Sequence, residues 1–186
     1  MNNNKYYIII ILILLIILLL NLVSPIIGEE ITAILTTVTT ITGIFSVFIE
    51  MKRSADIAEC EFIFNLQKQF DDNETIQEVY KCLDNAYFEK KDIDGTIDRQ
   101  KIVTYLTFFE MMCNLIIKGV LKIDDVDALY AYPFFIATNN KDIQTKELAT
   151  YKQFYRNIYT VYSKWYNYRK KRGYEIPYEE NKLIKR

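Results

Sequence analysis

The fold of this chain is decided by two apolar stretches near its N terminus. They are YYIIIILILLIILLLNLV at residues 6–23 and ITAILTTVTTITGIFSVF at residues 31–48. At the rise of an α-helix, the 18 residues of the first stretch span about 27 Å, close to the hydrocarbon thickness of a bilayer. A short turn with Pro25 and Gly28 separates the stretches. The sequence therefore predicts a transmembrane hairpin at residues 1–50, with helices at about 6–23 and 31–49.

The charges that flank the two stretches predict the orientation of the hairpin. Lys5 precedes the first stretch, Lys52 and Arg53 follow the second, and the connection carries only Glu29 and Glu30. Cytoplasmic flanks of membrane helices are enriched in Lys and Arg. We therefore expect a multi-pass protein of the cell membrane with both termini in the cytoplasm. A cleaved signal peptide is the competing interpretation, but the stretch is longer than a usual signal core and no A-x-A site follows.

The second stretch is interrupted by small residues at helical spacing. Such residues let helix backbones approach closely, which favours packing within the hairpin or in a homo-oligomer. A polar pore is disfavoured because neither stretch contains an ionisable side chain. The small residues are Thr32, Thr36, Thr37, Thr39, Thr40, Thr42, Gly43 and Ser46.

The remainder of the chain has the composition of one helical domain. The whole chain has only five glycines and three prolines, and no alternating strand pattern appears. We therefore expect an all-α protein: the two-helix transmembrane hairpin, then a cytosolic bundle of about five helices at residues 51–173. Residues 174–186 are expected to form an extended or frayed C-terminal tail.

Several function classes are disfavoured by the residues that the chain lacks. The sequence has no histidine, which removes imidazole-based catalysis and most zinc sites. Its glycines stand alone, so no phosphate-binding loop is present. Cys60, Cys82 and Cys113 match no metal or redox spacing, and we expect them to be buried as small apolar residues. The sequence therefore predicts no cofactor, no metal site, no catalytic residues and no enzymatic activity.

Apolar periodicity predicts the individual helices. The second membrane helix is expected to continue to about Phe70, where Asp71, Asp72 and Asn73 end it and cap the next helix. Further helices are expected at about 97–118 and 145–172, with Gly119 and Gly173 at their C-terminal ends. Asp124 is expected to cap the N terminus of the helix between these two. Pro133 is expected to break or kink that helix near Tyr132.

Two candidate sites lie in the predicted cytosolic domain. Residues 90–101 resemble part of a calcium loop, but Lys90 and Lys101 occupy positions that require carboxylate ligands. These two cations exclude a calcium site. Glu110 falls at the edge of the predicted core. We interpret it as a boundary ion pair with a Lys or Arg of the final helix, rather than as an acid or base with a raised pKa.

Charge is distributed unevenly along the chain. Residues 51–140 carry 10 basic and 16 acidic side chains, whereas residues 141–186 carry 12 basic and 5 acidic ones. This asymmetry indicates either an acidic layer docked on a basic helix, which is the preferred interpretation, or a basic surface for an anionic partner. In the second case Arg169, Lys170, Lys171 and Arg172 would contact anionic lipid or a partner. Nucleic acid is disfavoured, although aromatic and basic residues alternate in this helix.

The string RQKIVTYLTFFEMMCNLIIKGVLKIDDV begins at Arg99 and resembles a helix–turn–helix segment of uncharacterised bacterial and phage-associated membrane proteins. In those proteins a hydrophobic N-terminal anchor precedes a helical cytosolic domain. The resemblance implies the same architecture here and no activity. The matching residues are Tyr105, Leu106, Phe108, Phe109, Glu110, Gly119 and Asp124.

These features favour a membrane-anchored protein-interaction module at the inner face of the cell membrane. Its expected partners are the lipid bilayer and either another protein or further copies of the chain. The alternative is a membrane effector, for example in stress or phage defence, that acts on the bilayer itself.

Overall fold

A computed structural model describes Leu12, Leu15, Ile16, Leu18, Leu19, Gly95 and the ranges 29–93 and 97–183. The chain divides into two compact units, Met1–Cys60 and Glu61–Arg186. All regular structure in the described residues is helical, which confirms the all-α prediction. The elements are α1 (Glu29–Asp72), α2 (Glu74–Glu89), α3 (Arg99–Ile117), α4 (Ile123–Thr138), α5 (Lys141–Ile143) and α6 (Arg156–Arg172).

The apolar N-terminal region is described chiefly by α1. This helix includes the whole second apolar stretch and continues to Asp72, which confirms the predicted extension to about Phe70. By length and composition it is able to cross a membrane, and among the described residues it is the one helix that meets this criterion. The five described residues of the first stretch are helical. Most of that stretch and the turn at 25–28 lie outside the described residues, so the hairpin is not shown.

Helix ends follow the capping signals of the sequence in most places. Asn73 Oδ1 accepts from the backbone N–H of Ile76 at 3.1 Å, and this contact caps α2. Gly119 and Gly173 follow α3 and α6 with φ of 73° and 69°, a left-handed conformation that disfavours other residues. The prediction for Asp124 is wrong, because α4 begins at Ile123 and Asp125 makes the capping contact.

Pro133 lies inside α4, and the predicted break near Tyr132 does not occur. The helix continues to Thr138. The proline ring is buried in the core, and its carbonyl accepts a hydrogen bond of 2.9 Å from the hydroxyl of Tyr105. Tertiary packing therefore offsets the loss of one helical hydrogen bond.

The predicted long final helix is interrupted, so its expected start at Thr145 is wrong. A wide π-helical turn occupies Gln144–Leu148, a short 3₁₀ turn occupies Lys152–Phe154, and α6 begins only at Arg156. No glycine or proline lies between 145 and 172 to indicate this interruption. The break coincides with the side-chain contacts of Glu147 and Glu110 described below.

The unit Glu61–Arg186 has one continuous hydrophobic core that is rich in aromatic residues. Phe70 makes ring contacts with Tyr105 and Tyr130, and Phe134 stacks on Trp165 with 4.7 Å between ring centroids. Ile176 and Leu183 also belong to this core. Of the two alternatives expected for the tail after Gly173, extended or frayed, the frayed one is wrong for residues 174–183, because two apolar side chains anchor this segment.

The three cysteines differ in burial. Cys113 is buried and Cys82 is half-buried, but Cys60 is exposed. The prediction of a buried apolar role is thus wrong for Cys60. The residue lies on the apolar face that continues into the core at Leu66 and Phe70, but it precedes the turn of α1 at which burial begins.

Candidate functional site

The basic end of α6 is largely paired with acidic residues of the same unit. Lys170 Nζ lies 2.7 Å from Glu179 Oε1, and Arg172 Nη2 lies 3.3 Å from Asp124 Oδ1. The Arg172 guanidinium also lies 3.7 Å from the centre of the Tyr168 ring. These contacts fit an acidic layer docked on a basic helix better than a basic surface free for an anionic partner.

Arg169 is part of a buried polar cluster. Asp127 Oδ2 accepts from Arg169 Nη1 at 2.8 Å, and its Oδ1 accepts from Trp165 Nε1 at 2.6 Å. The side chains of Arg169 and Asp127 are only 16% and 8% exposed. A charge at this depth requires such partners, because its water is lost on folding. Arg169 is therefore a structural residue, whereas Lys170, Lys171 and Arg172 are exposed.

The side chain of Glu110 contacts the final helix, as the sequence predicts, but it binds the backbone of that helix and not a basic side chain. Its two carboxylate oxygens accept from the backbone N–H groups of Asn157 and Ile158, each at 2.9 Å. Carboxylates are favourable at this position because the first N–H groups of a helix lack internal acceptors. The predicted Lys or Arg partner is thus replaced by the N terminus of α6.

A second buried carboxylate was not expected from the sequence. Glu147 is 3% exposed, and it accepts from Arg99 Nε at 2.8 Å and from the Tyr155 hydroxyl at 2.9 Å. The guanidinium of Arg99 also lies 4.4 Å from the centre of the Tyr151 ring. Glu147 sits in the π-helical turn, an irregularity that a sequence without Gly or Pro does not indicate. A cavity of about 270 Å³ adjoins this cluster.

Residues 174–183, here called the C-terminal strap, are held along their backbone by side chains of the helical unit. Three strap carbonyl groups accept hydrogen bonds and one strap N–H donates. The contacts are Arg169 Nη2 to Glu175 O at 2.9 Å, Asn139 Nδ2 to Pro177 O at 2.8 Å, Gln144 Nε2 to Asn181 O at 2.6 Å, and Leu183 N to Tyr162 Oη at 3.2 Å.

Side chains of the strap add apolar and charged contacts. Ile176 and Leu183 are 5% and 6% exposed, so both are core residues. Between them, Glu179 Oε1 accepts from the Tyr166 hydroxyl at 2.7 Å and pairs with Lys170. The ion pair with Lys170 and the bond from Tyr166 lower the pKa of Glu179 below its ordinary value.

A polar cleft of about 690 Å³ lies beside the strap. The ring of Tyr178 from the strap packs edge-on against Tyr87 of α2, with 4.8 Å between centroids. Two residues that border the cleft, Lys90 and Tyr178, have left-handed φ values of 53° and 48°. Lys90 is the C-cap of α2, where this conformation is common, whereas Tyr178 adopts it within the strap, where it is uncommon for a residue with a Cβ. The volume lies in the range of typical ligand sites.

The described residues offer little for metal or covalent chemistry. Among residues 29–93, 95 and 97–183, no three His, Cys, Asp or Glu side chains are grouped so that they could hold a metal ion. Burial and the nearby Glu110 carboxylate raise the pKa of the Cys113 thiol well above its ordinary value, so its reactive thiolate form is suppressed. The strap and the groove beneath it, which is lined by Asn139, Gln144, Tyr162, Tyr166 and Lys170, form the best-defined candidate site, and their contacts are suited to binding.

Comparison with known proteins finds no matching family model, no matching curated sequence and no matching solved structure. The resemblance of the segment that begins at Arg99 to bacterial and phage-associated membrane proteins therefore stays a prediction.

Proposed function

We propose that the chain is a membrane-anchored protein-interaction module whose helical domain acts at the inner face of the cell membrane. The observation that carries this proposal is the N-terminal half of α1. Its apolar window is not buried at all by the rest of the described protein. A core helix of a soluble protein would be covered by its neighbours, so this surface requires another apolar environment.

The cost of leaving this surface in water supports a bilayer as the environment. Large apolar side chains between Ile31 and Met51 are 39% to 68% exposed. Transfer of each such side chain from water contributes about 1.5–3 kcal/mol when burial is complete. Summed over the eleven such side chains, which are about half exposed, the total is comparable with the stability of an ordinary domain. Insertion into lipid removes this cost without a large protein partner.

The hydroxyl groups of α1 are compatible with insertion. Thr36 and Thr40 each donate to the carbonyl four residues earlier at 2.8 Å, and Ser46 does so at 3.0 Å. A hydroxyl that is bonded within its own helix is tolerated in lipid, because no donor is left unsatisfied. Because these hydroxyl groups donate within their own helix, their donors are not free to line a polar pore. Helix packing is therefore the favoured role of this face. The effector alternative thus gains no support from this helix.

The face around Gly43 is suited to contact with another helix. A side chain added at Gly43 would meet no atom within 4 Å, and a groove of about 420 Å³ adjoins it. Glycine and small residues allow close helix approach in membranes. The contacting helix is either the first apolar stretch of the same chain, in a two-pass anchor with both termini in the cytoplasm, or α1 of a second copy.

Cross-linking in native membranes tests the interaction function. We expect the wild-type chain to form a discrete larger species with itself or with a partner protein. A Gly43→Ile variant is expected to lose a self-complex formed through this face. The matched control is Val38→Phe, which adds bulk about 140° away around the helix. A chain that remains a monomer at every cross-linker concentration, in membranes and in mild detergent, would contradict the proposal.

A further inference from the structure

We propose that the groove under the C-terminal strap is a peptide-binding site. Its partner is an acidic peptide of another protein, with two aliphatic side chains seven positions apart, which follows the path of the strap and binds in its place. This inference rests on the proposed interaction function and adds the site and the chemistry of the partner. The strap is then the internal occupant of a groove that also accepts a segment in trans.

The first argument is that the groove recognises backbone. Each of the four hydrogen bonds from Asn139, Gln144, Tyr162 and Arg169 reaches a main-chain group of the strap. Such contacts do not depend on the side chains of the bound segment. Any segment that follows the same path can make them, as in other modes of extended-peptide recognition.

The second argument gives the side-chain preference. Ile176 and Leu183 fill apolar positions at the two ends of the groove, and Glu179 between them meets Lys170 and Tyr166. Lys182 of the strap itself lies over the Tyr166 ring, with 4.0 Å between its Nζ and the ring centre, so this ring accepts a cation of the bound segment. The apolar ends supply affinity through burial, and Lys170 selects a carboxylate. The fitting ligand is therefore aliphatic at both ends and acidic in the middle.

The third argument is that the strap is held in a way that permits another peptide to replace it. It is joined to α6 through Gly173, a residue that adopts left-handed φ without strain. It carries only one short 3₁₀ turn, Glu179–Asn181. Tyr178 adopts φ of 48°, a left-handed conformation that is unfavourable for a residue with a side chain. A peptide with Gly or Asn at this position follows the same path with less strain, and the adjoining cleft has space for larger side chains.

The tether sets how strongly the strap competes. A segment that is covalently joined to its groove has an effective concentration on the order of 1 mM. Weak binding of a peptide to the wild-type chain is therefore expected, and weakening the strap is expected to strengthen that binding.

The test is a titration of the full-length chain in detergent with a fluorescent peptide of sequence YEIPYEENKL, residues 174–183. The host variant Ile176→Asp/Leu183→Asp removes both anchors of the strap while leaving the groove unchanged. We expect this variant to bind the peptide at least tenfold more tightly than the wild-type chain does. The control peptide carries Asp at the same two positions and is expected not to bind. Equal binding of the two peptides, or no binding to a host with native helicity, would overturn the proposal.

Hydrogen exchange of the wild-type chain keeps the proposal testable if the variant fails to fold. The amides of Asn181 and Leu183 are expected to exchange by opening of the strap, well before the central amides of α3 and α6. Exchange of these amides only together with global unfolding would overturn the inference. The peptide experiments test only the groove, and the cross-linking of the full chain in membranes tests the interaction function. If the peptide does not bind but the cross-linked species still forms, the groove proposal fails and the interaction function stands.

Discussion

Glu110 in α3 caps the N terminus of α6 at Ile158, with 2.9 Å between Glu110 Oε2 and the Ile158 backbone nitrogen. The other carboxylate oxygen makes the same contact with Asn157. The residue before α6, Tyr155, provides no side-chain cap of its own. A residue of one helix thus completes the hydrogen bonding of another, and this contact fixes where α6 begins.

Substitution Glu110→Ala is expected to destabilise the chain by about 1–2 kcal/mol, the usual effect of losing an N-terminal cap. Denaturant unfolding followed by circular dichroism measures this change. The matched control is Glu89→Ala, because Glu89 is exposed and pairs with the exposed Lys91. That variant is expected to change stability by less than about 0.5 kcal/mol. Equal effects of the two substitutions would show that the cap at α6 contributes nothing.

Substitution Asp127→Ala is expected to destabilise the chain by about 3 kcal/mol, because the indole N–H of Trp165 loses its acceptor and the guanidinium of Arg169 loses its carboxylate partner. Trp165 is the single tryptophan of the chain, so its fluorescence reports on this site alone. We expect the emission to shift to longer wavelength in the variant. Asp124→Ala, which removes an exposed pair with Arg172, serves as the control. An unshifted spectrum and unchanged stability for Asp127→Ala would contradict the structural role.

The three thiols are expected to differ in reactivity. Cys60 is exposed and should react first with a membrane-permeant maleimide. Cys113 should react last, because it is buried and its thiol pKa is raised by burial. Mass spectrometry of the native protein after brief labelling measures the order. Modification of Cys113 as fast as Cys60 would contradict the described core. A membrane-impermeant maleimide added to intact cells is expected to label none of the three.

The folded chain is expected to lose stability in alkaline solution through Tyr162. Burial raises the pKa of Tyr162 to about 12 from its ordinary value of 10.0. Because the folded state favours the neutral phenol, this contribution is fully present below pH 10.0 and is lost as the pH rises toward about 12. Unfolding curves across this pH range test the sign. Tyr162→Phe, which keeps the ring, is expected to flatten this part of the profile. A profile that rises with pH, or one that the substitution leaves unchanged, would exclude Tyr162 as its source.

The sequence was sufficient to predict features that depend on local chemistry. Apolar periodicity predicts that the apolar helix extends to the end of α1. Residues with well-known conformational preferences predict the cap at Asn73 and the helix ends at Gly119 and Gly173. These signals act over a few residues, so a single sequence contains them.

The features that were missed depend on contacts between distant residues. The π-helical turn at Gln144–Leu148 surrounds Glu147, whose partner Arg99 lies on another helix. The strap is ordered by Ile176 and Leu183, two isolated aliphatic residues in an otherwise polar segment. No periodicity marks such anchors, because a strap without regular structure has none. For the same reason the sequence indicated Glu110 as important but suggested the wrong type of partner.

Retention of the chain by membranes tests the central claim most directly. Membranes that contain the full-length protein are washed with alkaline carbonate, and the chain is quantified in the pellet and in the supernatant. We expect the wild-type chain to remain in the pellet. A variant with Ile41→Lys and Phe45→Lys, which places two charges in the apolar window of α1, is expected to be retained less. Release of the intact wild-type chain into the supernatant would contradict the membrane anchor.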